Sequence, residues 1–215
     1  MESLEGGCVI VANGRFPSAE LPLRLLKEAK TIIACDGAVK TLYEKGIHPD
    51  AIVGDLDSIP AGLRERYADR IHHVEDQEIN DLTKSVRFAH TQGYREVLIL
   101  GATGLREDHT LGNISLLMDY AHLFTQVEML SDYGLFTPIL KTTTFASYPG
   151  QQISIFVLYP EGEISTEGLR WPIRRRKLTS WWQGTLNEAL GNQFTVTLSP
   201  DCRVIIYREA PYTKK

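Results

Sequence analysis

Between residues 9 and 130 the hydrophobic pattern switches repeatedly between two periods, and this alternation restricts the fold of the 215-residue chain more than anything else in it. Short, β-branched apolar runs at Val9 to Ala12, Thr31 to Ala34, Ala51 to Val53, Ile71 to Val74, Val97 to Leu100 and Val127 to Leu130 read as strands. Stretches of helical spacing lie between most of them: Leu21 to Ala29, Ala38 to Lys45 with Gly46 just past its end, Asp81 to Thr91 behind Asn80, and Asp108 to Leu123. A strand–helix alternation of this length predicts an α/β domain, a mainly parallel sheet in three layers with helices on both faces.

Beyond residue 138 the helical period stops. Thr142 to Ala146, Ile153 to Leu158, Glu163 to Gly168, Phe194 to Leu198 and Val204 to Tyr207 are strand-like. They are separated by turn clusters at Tyr148-Pro149-Gly150, Tyr159-Pro160-Glu161-Gly162 and Ser199-Pro200-Asp201, with one further turn expected at Asn187 to Leu190. Two domains are therefore expected: residues 1–138, α/β, and residues 139–215, a small all-β sandwich.

Composition narrows the function. With 23 basic against 27 acidic residues the chain carries −4, which argues against a coat for nucleic acid or anionic membrane. One basic run, Arg174-Arg175-Arg176-Lys177 between Trp171 and Trp181-Trp182, keeps a single-strand nucleic-acid surface open as the non-enzymatic alternative. Cys8, Cys35 and Cys202 form no C-x-x-C pair, so no zinc site or disulfide framework is encoded. The start, MESLEGG, lacks a basic leader, and no apolar run reaches the ~18 residues of a membrane span, so the cytoplasm is the expected location.

The strand reading places acidic residues with a common address. Asp36 follows the second strand, Asp55 and Asp57 the third, Asp76 the fourth and Asp108 the fifth, while Asp81 opens a helix. In an open parallel sheet the carboxyl ends of the strands share one edge, where ligands bind. Carboxylates gathered there repel unless a cation sits among them. Asp55 and Asp57, spaced i, i+2, would point to one side of an extended segment with Leu56 turned into the core, and two hard oxygen ligands suit Mg²⁺. Taken alone, an aspartate-rich turn capping a helix is the better reading of the pair; the other edge carboxylates shift it toward a metal. On the helix from Asp81, Leu82, Val86 and Ala89 form the sheet-facing stripe, and Asp81, Lys84 and Ser85 the neighbouring face at its positive end. Gly101-Ala102-Thr103-Gly104 would let backbone approach a ligand, with Arg106 beside it for phosphate. Among the histidines only His109, next to Asp108, belongs with this edge. Neither G-x-x-x-x-G-K-[ST] nor G-x-G-x-x-G occurs, which disfavours P-loop kinases and dinucleotide dehydrogenases.

Read together, Cys35-Asp36-Gly37-Ala38, Gly54-Asp55-Leu56-Asp57-Ser58, Asp76-Gln77 through Asn80-Asp81-Leu82-Thr83-Lys84, and Gly101 through Arg106 to Asp108-His109 resemble thiamine pyrophosphokinase. Glu167 to Pro172 and Gly184-Thr185-Leu186-Asn187-Glu188 are similar to that family's thiamine-side motifs. The resemblance runs in order along nearly the whole chain. It implies a homodimer with pockets at the subunit interface, ATP and thiamine as substrates, and Mg²⁺-dependent transfer of a pyrophosphoryl group to the thiamine hydroxyl, releasing AMP. It implies Asp55, Asp57 and Asp81 as metal ligands, with Asp36, Gln77, Lys84, Arg106, Asp108 and His109 around the nucleotide and its phosphates. Trp171, Thr185 and Asn187 would line the thiamine pocket, and Asp108 or an edge aspartate would be the general base. Ala38 and Leu105 stand where the family usually has glycine, and Leu186 where it usually has serine. That last change brings in a related diphosphokinase acting on a pterin-like alcohol as the enzymatic alternative.

Overall fold

A computed structural model describes residues 7–159, 161–200 and 202–210. Residues 1–6, on which the absence of a leader was read, and the turn positions Pro160 and Asp201 lie outside the described residues. Two compact units are present: residues 1–116 with 122–132, and residues 117–121 with 133–215.

In the first unit, β1 (Cys8–Val11), β2 (Ile32–Cys35), β3 (Ala51–Gly54), β4 (Ile71–His73), β5 (Glu96–Leu100) and β6 (Gln126–Leu130) form a parallel array in the order β6-β5-β1-β2-β3-β4. The first three strands are buried at every position, the continuous apolar signature of a covered parallel sheet. Their connections are α1 (Glu20–Glu28), α2 (Ala38–Glu44), α3 (Ala61–Arg66), α4 (Asp81–Thr91) and α5 (Glu107–Tyr120). From β1 the chain steps outward through β2, β3 and β4, then returns to place β5 on the other side of β1. The connections after β1 and β5 therefore run to opposite neighbours in the sheet, and the strand ends at this switch point are where such sheets take ligands.

α4 packs over β1, β2 and β3. Asn80 is its N-cap, accepting from the Thr83 amide at 2.9 Å, and Leu82, Val86 and Ala89 form the buried stripe. The segment leading into α1 is anchored from far away: the Asp132 carboxylate accepts from the Ser18 and Ala19 amides, each at 2.9 Å, and from the Ser18 hydroxyl at 2.5 Å.

The second unit holds β7 (Gly134–Ile139), β8 (Thr143–Ala146), β9 (Gln152–Tyr159), β10 (Ile164–Glu167), β11 (Asn187–Glu188), β12 (Gln193–Leu198) and β13 (Arg203–Glu209). Antiparallel pairing gives one array β11-β9-β13-β7 and a second sheet β10-β12-β8. Ile153, Ile155, Val204 and Ile206 from the first meet Ile164, Phe194 and Val196 from the second in one core, where Phe145 stacks on Phe194 at 5.2 Å.

Four local features depart from the sequence reading. α3 was not anticipated; it buries no residue, so it carries no apolar stripe. The boundary expected near residue 138 falls inside β7, whose Pro138 obscures a strand pattern. The turn expected at Asn187 is instead a two-residue strand on β9. Leu56 is neither extended nor in the core: it takes a left-handed conformation (φ 71°), is half-buried, and gives its carbonyl to the Arg64 guanidinium, while Ile59 fills the core position.

Among the described residues, no helix is long and apolar enough to cross a membrane.

Candidate active site

The turn at Leu56 brings Asp55 and Asp57 to one place by folding back. Asp55 Oδ1 receives the Asp57 amide at 3.4 Å, and Asp57 Oδ1 receives the Ser58 hydroxyl at 2.8 Å. Asp36 meets them from the end of β2. Each of the three offers a carboxylate oxygen within 4.8 Å of the others, a spacing that one small divalent cation bridges. Asp36 can enter because residue 54 is glycine: a Cβ there would lie 2.7 Å from the Asp36 Cβ.

Asp36 also carries the clearest sign of a missing partner. The residue is 2% exposed; Oδ2 accepts from the Ser58 amide at 3.2 Å, but Oδ1 is buried without a partner. Burial, with the nearby Asp81 and Asp55 charges, pushes its pKa above the usual carboxylate value despite the Ser58 bonds. A carboxylate with one buried oxygen lacking a donor, gathered with two further carboxylates, is the donor set of a hard cation, so these residues fit a divalent metal.

Asp81 stands outside that trio and is bound to Lys84, whose Nζ lies 2.9 Å from Asp81 Oδ1 and 3.4 Å from Asp55 Oδ2. Gln77 donates to the same Asp55 oxygen at 3.2 Å. Burial pushes the Asp55 pKa up, but the Asp57 amide, Gln77 and Lys84 outweigh it and hold it below the usual value.

Beside the trio opens a cavity of about 360 Å³, lined by Asn13, Asp36, Ser58, Asp81, Thr103, Arg106, His109 and Asn113 among others. It opens at the strand ends, walled by the loops after β1, β2, β3 and β5 and by the heads of α4 and α5, with the β1 and β5 loops joined by backbone bonds. Gly101 (φ 67°) permits that crossing, since a Cβ on it would lie 2.7 Å from the Ala12 carbonyl oxygen. Arg106 and His109 line the cavity; Asp55, Asp57, Gln77, Lys84 and Asp108 do not. Asp108 is exposed and engaged by Arg106 (Nη2 to Oδ2, 2.5 Å), which with the His109 amide pulls its pKa down to about 2. In this state Asp108 is a poor proton acceptor. Cys35 also lines the wall, but burial raises its thiol to about 12, leaving no thiolate for covalent chemistry.

The thiamine-side residues lie in the second unit. Trp171 is 56% exposed, with the Arg170 guanidinium 5.4 Å from its ring centre. Asn187 is buried and clamps the Trp171 backbone in both directions, accepting from its amide at 3.2 Å and donating to its carbonyl at 2.8 Å. Thr185 donates its hydroxyl to the Trp182 carbonyl at 2.8 Å, and Leu186 is 74% exposed with φ 58°. The basic run at 174–177 is exposed, and its Arg175 bonds Glu163 at 3.3 Å.

Asn13, Ser58 and Asn113 line the cavity without having been anticipated as site residues. For Asn113 the available signal was its spacing: four residues after His109, it shares that face of α5.

A parallel sheet whose switch crevice carries carboxylates and a glycine loop defines a nucleotide-dependent enzyme of phosphoryl-group transfer. The family model "Thiamin pyrophosphokinase, catalytic domain" matches residues 23–129, and "Thiamin pyrophosphokinase, substrate-binding domain" matches residues 134–207. The chain is 29% identical over 194 residues to thiamine pyrophosphokinase 1 of Oryza sativa subsp. japonica, covering 76% of this chain and 72% of that protein. It is 31% identical over 148 residues to thiamin pyrophosphokinase 1 of Caenorhabditis elegans, covering 62% and 60%. Its fold is shared with the thiamin pyrophosphokinase of Candida albicans (TM-score 0.80, 18% identity, 94% of this chain and 90% of that one). It is shared too with that of Geobacillus thermodenitrificans (TM-score 0.77, 24% identity, 96% and 98%). The chain belongs to the thiamin pyrophosphokinase family, whose activity is ATP-dependent transfer of a pyrophosphoryl group to thiamine.

Proposed function

We propose that this protein makes thiamine diphosphate and AMP from thiamine and ATP, with Mg²⁺ held at the sheet edge by Asp36, Asp55 and Asp57, and Asp81 completing the set from the head of α4. The observation that carries the metal assignment is the gathering of the Asp36, Asp55 and Asp57 carboxylates, with one Asp36 oxygen buried and without a partner.

Transfer of this kind needs positioning and charge neutralisation more than covalent participation by the protein. Mg²⁺, when bound, gathers phosphate oxygens and neutralises their charge. The remaining work falls to the chain. The glycine loop and the head of α4 hold the triphosphate, and Arg106, lining the cavity, exchanges Asp108 for a phosphate oxygen. Lys84, with 2% of its side chain exposed, acts from beneath on Asp55 and Asp81. His109 lies at the nucleotide, and an edge aspartate takes the hydroxyl proton. Trp171 stacks on the thiamine ring, its backbone fixed by Asn187, and Thr185 and Leu186 border the same pocket.

Placing the nucleotide on the α/β unit and thiamine on the β unit, in a homodimer with pockets at the subunit interface, follows the family reading. The exposed Trp171, Trp182 and Leu186 support an apolar surface covered by ligand or by a second copy. A cytoplasmic location is consistent with three free, buried cysteines.

The acceptor is tested by comparing thiamine with a pterin alcohol at fixed ATP and Mg²⁺ while following AMP. Faster AMP release with thiamine supports the reading; AMP released only with the pterin alcohol moves the substrate.

A further inference from the structure

We propose that Asn113 is a positioning residue that holds the glycine loop after β5 in register with the head of α4, through a one-way chain of hydrogen bonds. The inference rests on the reading above, in which the ATP phosphates lie between those two elements.

The chain starts on a main-chain donor and ends on a main-chain acceptor. The Thr83 amide donates to Asn80 Oδ1 at 2.9 Å, Asn80 Nδ2 donates to Asn113 Oδ1 at 3.2 Å, and Asn113 Nδ2 donates to the Ala102 carbonyl at 2.8 Å. Backbone groups at both ends fix the direction, so each amide has one permitted orientation: turning either would set two donors or two acceptors face to face. Asn113 borders the cavity, yet both ends of its amide are directed at protein, so it acts on the site through the elements it joins.

Two consequences follow from that direction. As a helix cap alone, position 80 would accept Asn, Asp or Ser almost equally. Asp accepts from Thr83 but has no donor to pass on, and a serine hydroxyl, one bond shorter than the Asn Nδ2 that spans 3.2 Å to Asn113, falls short, so the identity of residue 80 is set by Asn113, 33 residues away. The second consequence concerns the loop. Three successive carbonyls there bind protein donors: Gly101 takes the Gly14 amide at 2.7 Å, Ala102 takes Asn113, and Thr103 takes the Arg15 amide at 2.9 Å. Carbonyl oxygens repel phosphate, so a loop that must receive a triphosphate needs them held on donors. Gly101 and Thr103 are held by neighbouring backbone; Ala102 depends on one side chain.

The test uses Asn113→Ala, Asn80→Ser and the double variant in the full-length protein. It reads the dissociation constant for ATP with Mg²⁺ and no thiamine, the KM for thiamine, and the thermal midpoint. Asn80→Ser keeps the cap and breaks the chain, so it remains informative if Asn113→Ala fails to fold. Each single change is expected to weaken ATP binding about tenfold, leave the thiamine KM within about twofold, and leave the Asn80→Ser midpoint near wild type. Because both cut one chain, the double variant should also be about tenfold weaker. A double variant about a hundredfold weaker, or single variants with wild-type ATP affinity, would overturn the inference. A wild-type protein that releases no AMP from ATP and thiamine would overturn the wider reading, whereas an active wild type with multiplying variants sinks only the chain.

Discussion

Lys84 lies beneath the carboxylate edge, its Nζ 2.9 Å from Asp81 Oδ1, with 2% of its side chain exposed. Its second contact, 3.4 Å to Asp55, makes one ammonium the common counter-charge of two site carboxylates on different elements. Burial alone would lower the Lys84 pKa; Asp81 and Asp55 outweigh it and raise it, so the group stays charged through neutral pH.

Replacing Lys84 by Met should therefore do two things. Removing one partner of a fully buried pair costs about 3–5 kcal/mol; both carboxylates here are partly exposed, so about 1–3 kcal/mol is expected in urea unfolding. Turnover should fall about a hundredfold or more, and Mg²⁺ should recover part of the lost stability by supplying the missing positive charge. A variant with wild-type stability and activity would show that Lys84 does not organise the edge.

Asp36→Asn separates the metal from the fold. In EDTA, Asp36 is a buried carboxylate with a raised pKa, and such a group reduces stability as pH rises above its unfolded value of 3.8. The asparagine variant should thus equal or exceed wild type in thermal midpoint at pH 7 without metal. On adding Mg²⁺ or Mn²⁺ the order should reverse, because wild type gains binding energy that the variant cannot. A variant stabilised by metal as strongly as wild type would remove Asp36 from the donor set.

Asp132 gives a pH dependence of opposite sign. Burial raises its pKa, but the hydrogen bonds from Ala19 and Ser18 outweigh that and depress it. A depressed carboxylate contributes stability above its unfolded pKa and loses it as pH falls through the lower folded value. Asp132→Asn should lose about 1 kcal/mol at pH 7, the net worth of hydrogen bonds to a partly exposed charged group, with the gap to wild type closing below about pH 4. A gap independent of pH would mean the charge on Asp132 is not what anchors the segment leading into α1.

In the second unit, Asn187 spends its amide on Trp171, so the two residues should behave as a pair. Trp171→Ala should raise the thiamine KM about tenfold or more, given ring stacking worth about 1–3 kcal/mol, with little change in the ATP KM. Asn187→Ala should raise the same constant, and the double variant should be no worse than Trp171→Ala. Additive effects would make Asn187 an independent thiamine contact.

How much of this was legible in the sequence depended on the distance over which each feature is determined. α4 was readable to the residue because its cap, its stripe and its end are all local. The buried strands were readable because a covered parallel sheet needs unbroken apolar runs. α3 was silent, having no face to bury. The clustering of carboxylates at the sheet edge was foreseen, but the geometry at Leu56 was not, since a left-handed leucine is imposed by its surroundings and carries no propensity signal. Asp36 was read as a nucleotide residue; its approach to Asp55 and Asp57 depends on Gly54, a contact between strand ends. Asn113 bonds residues 11 and 33 positions away, and Asp132 anchors the approach to α1 from 113 positions away, so neither pattern leaves a local trace.

The most direct measurement is phosphorus NMR of a reaction containing ATP, Mg²⁺, thiamine and the protein, repeated with excess EDTA. Equal amounts of AMP and thiamine diphosphate, no ADP, and no turnover in EDTA are predicted. Thiamine monophosphate with ADP, or product formation undiminished by EDTA, would contradict metal-assisted transfer of an intact pyrophosphoryl group.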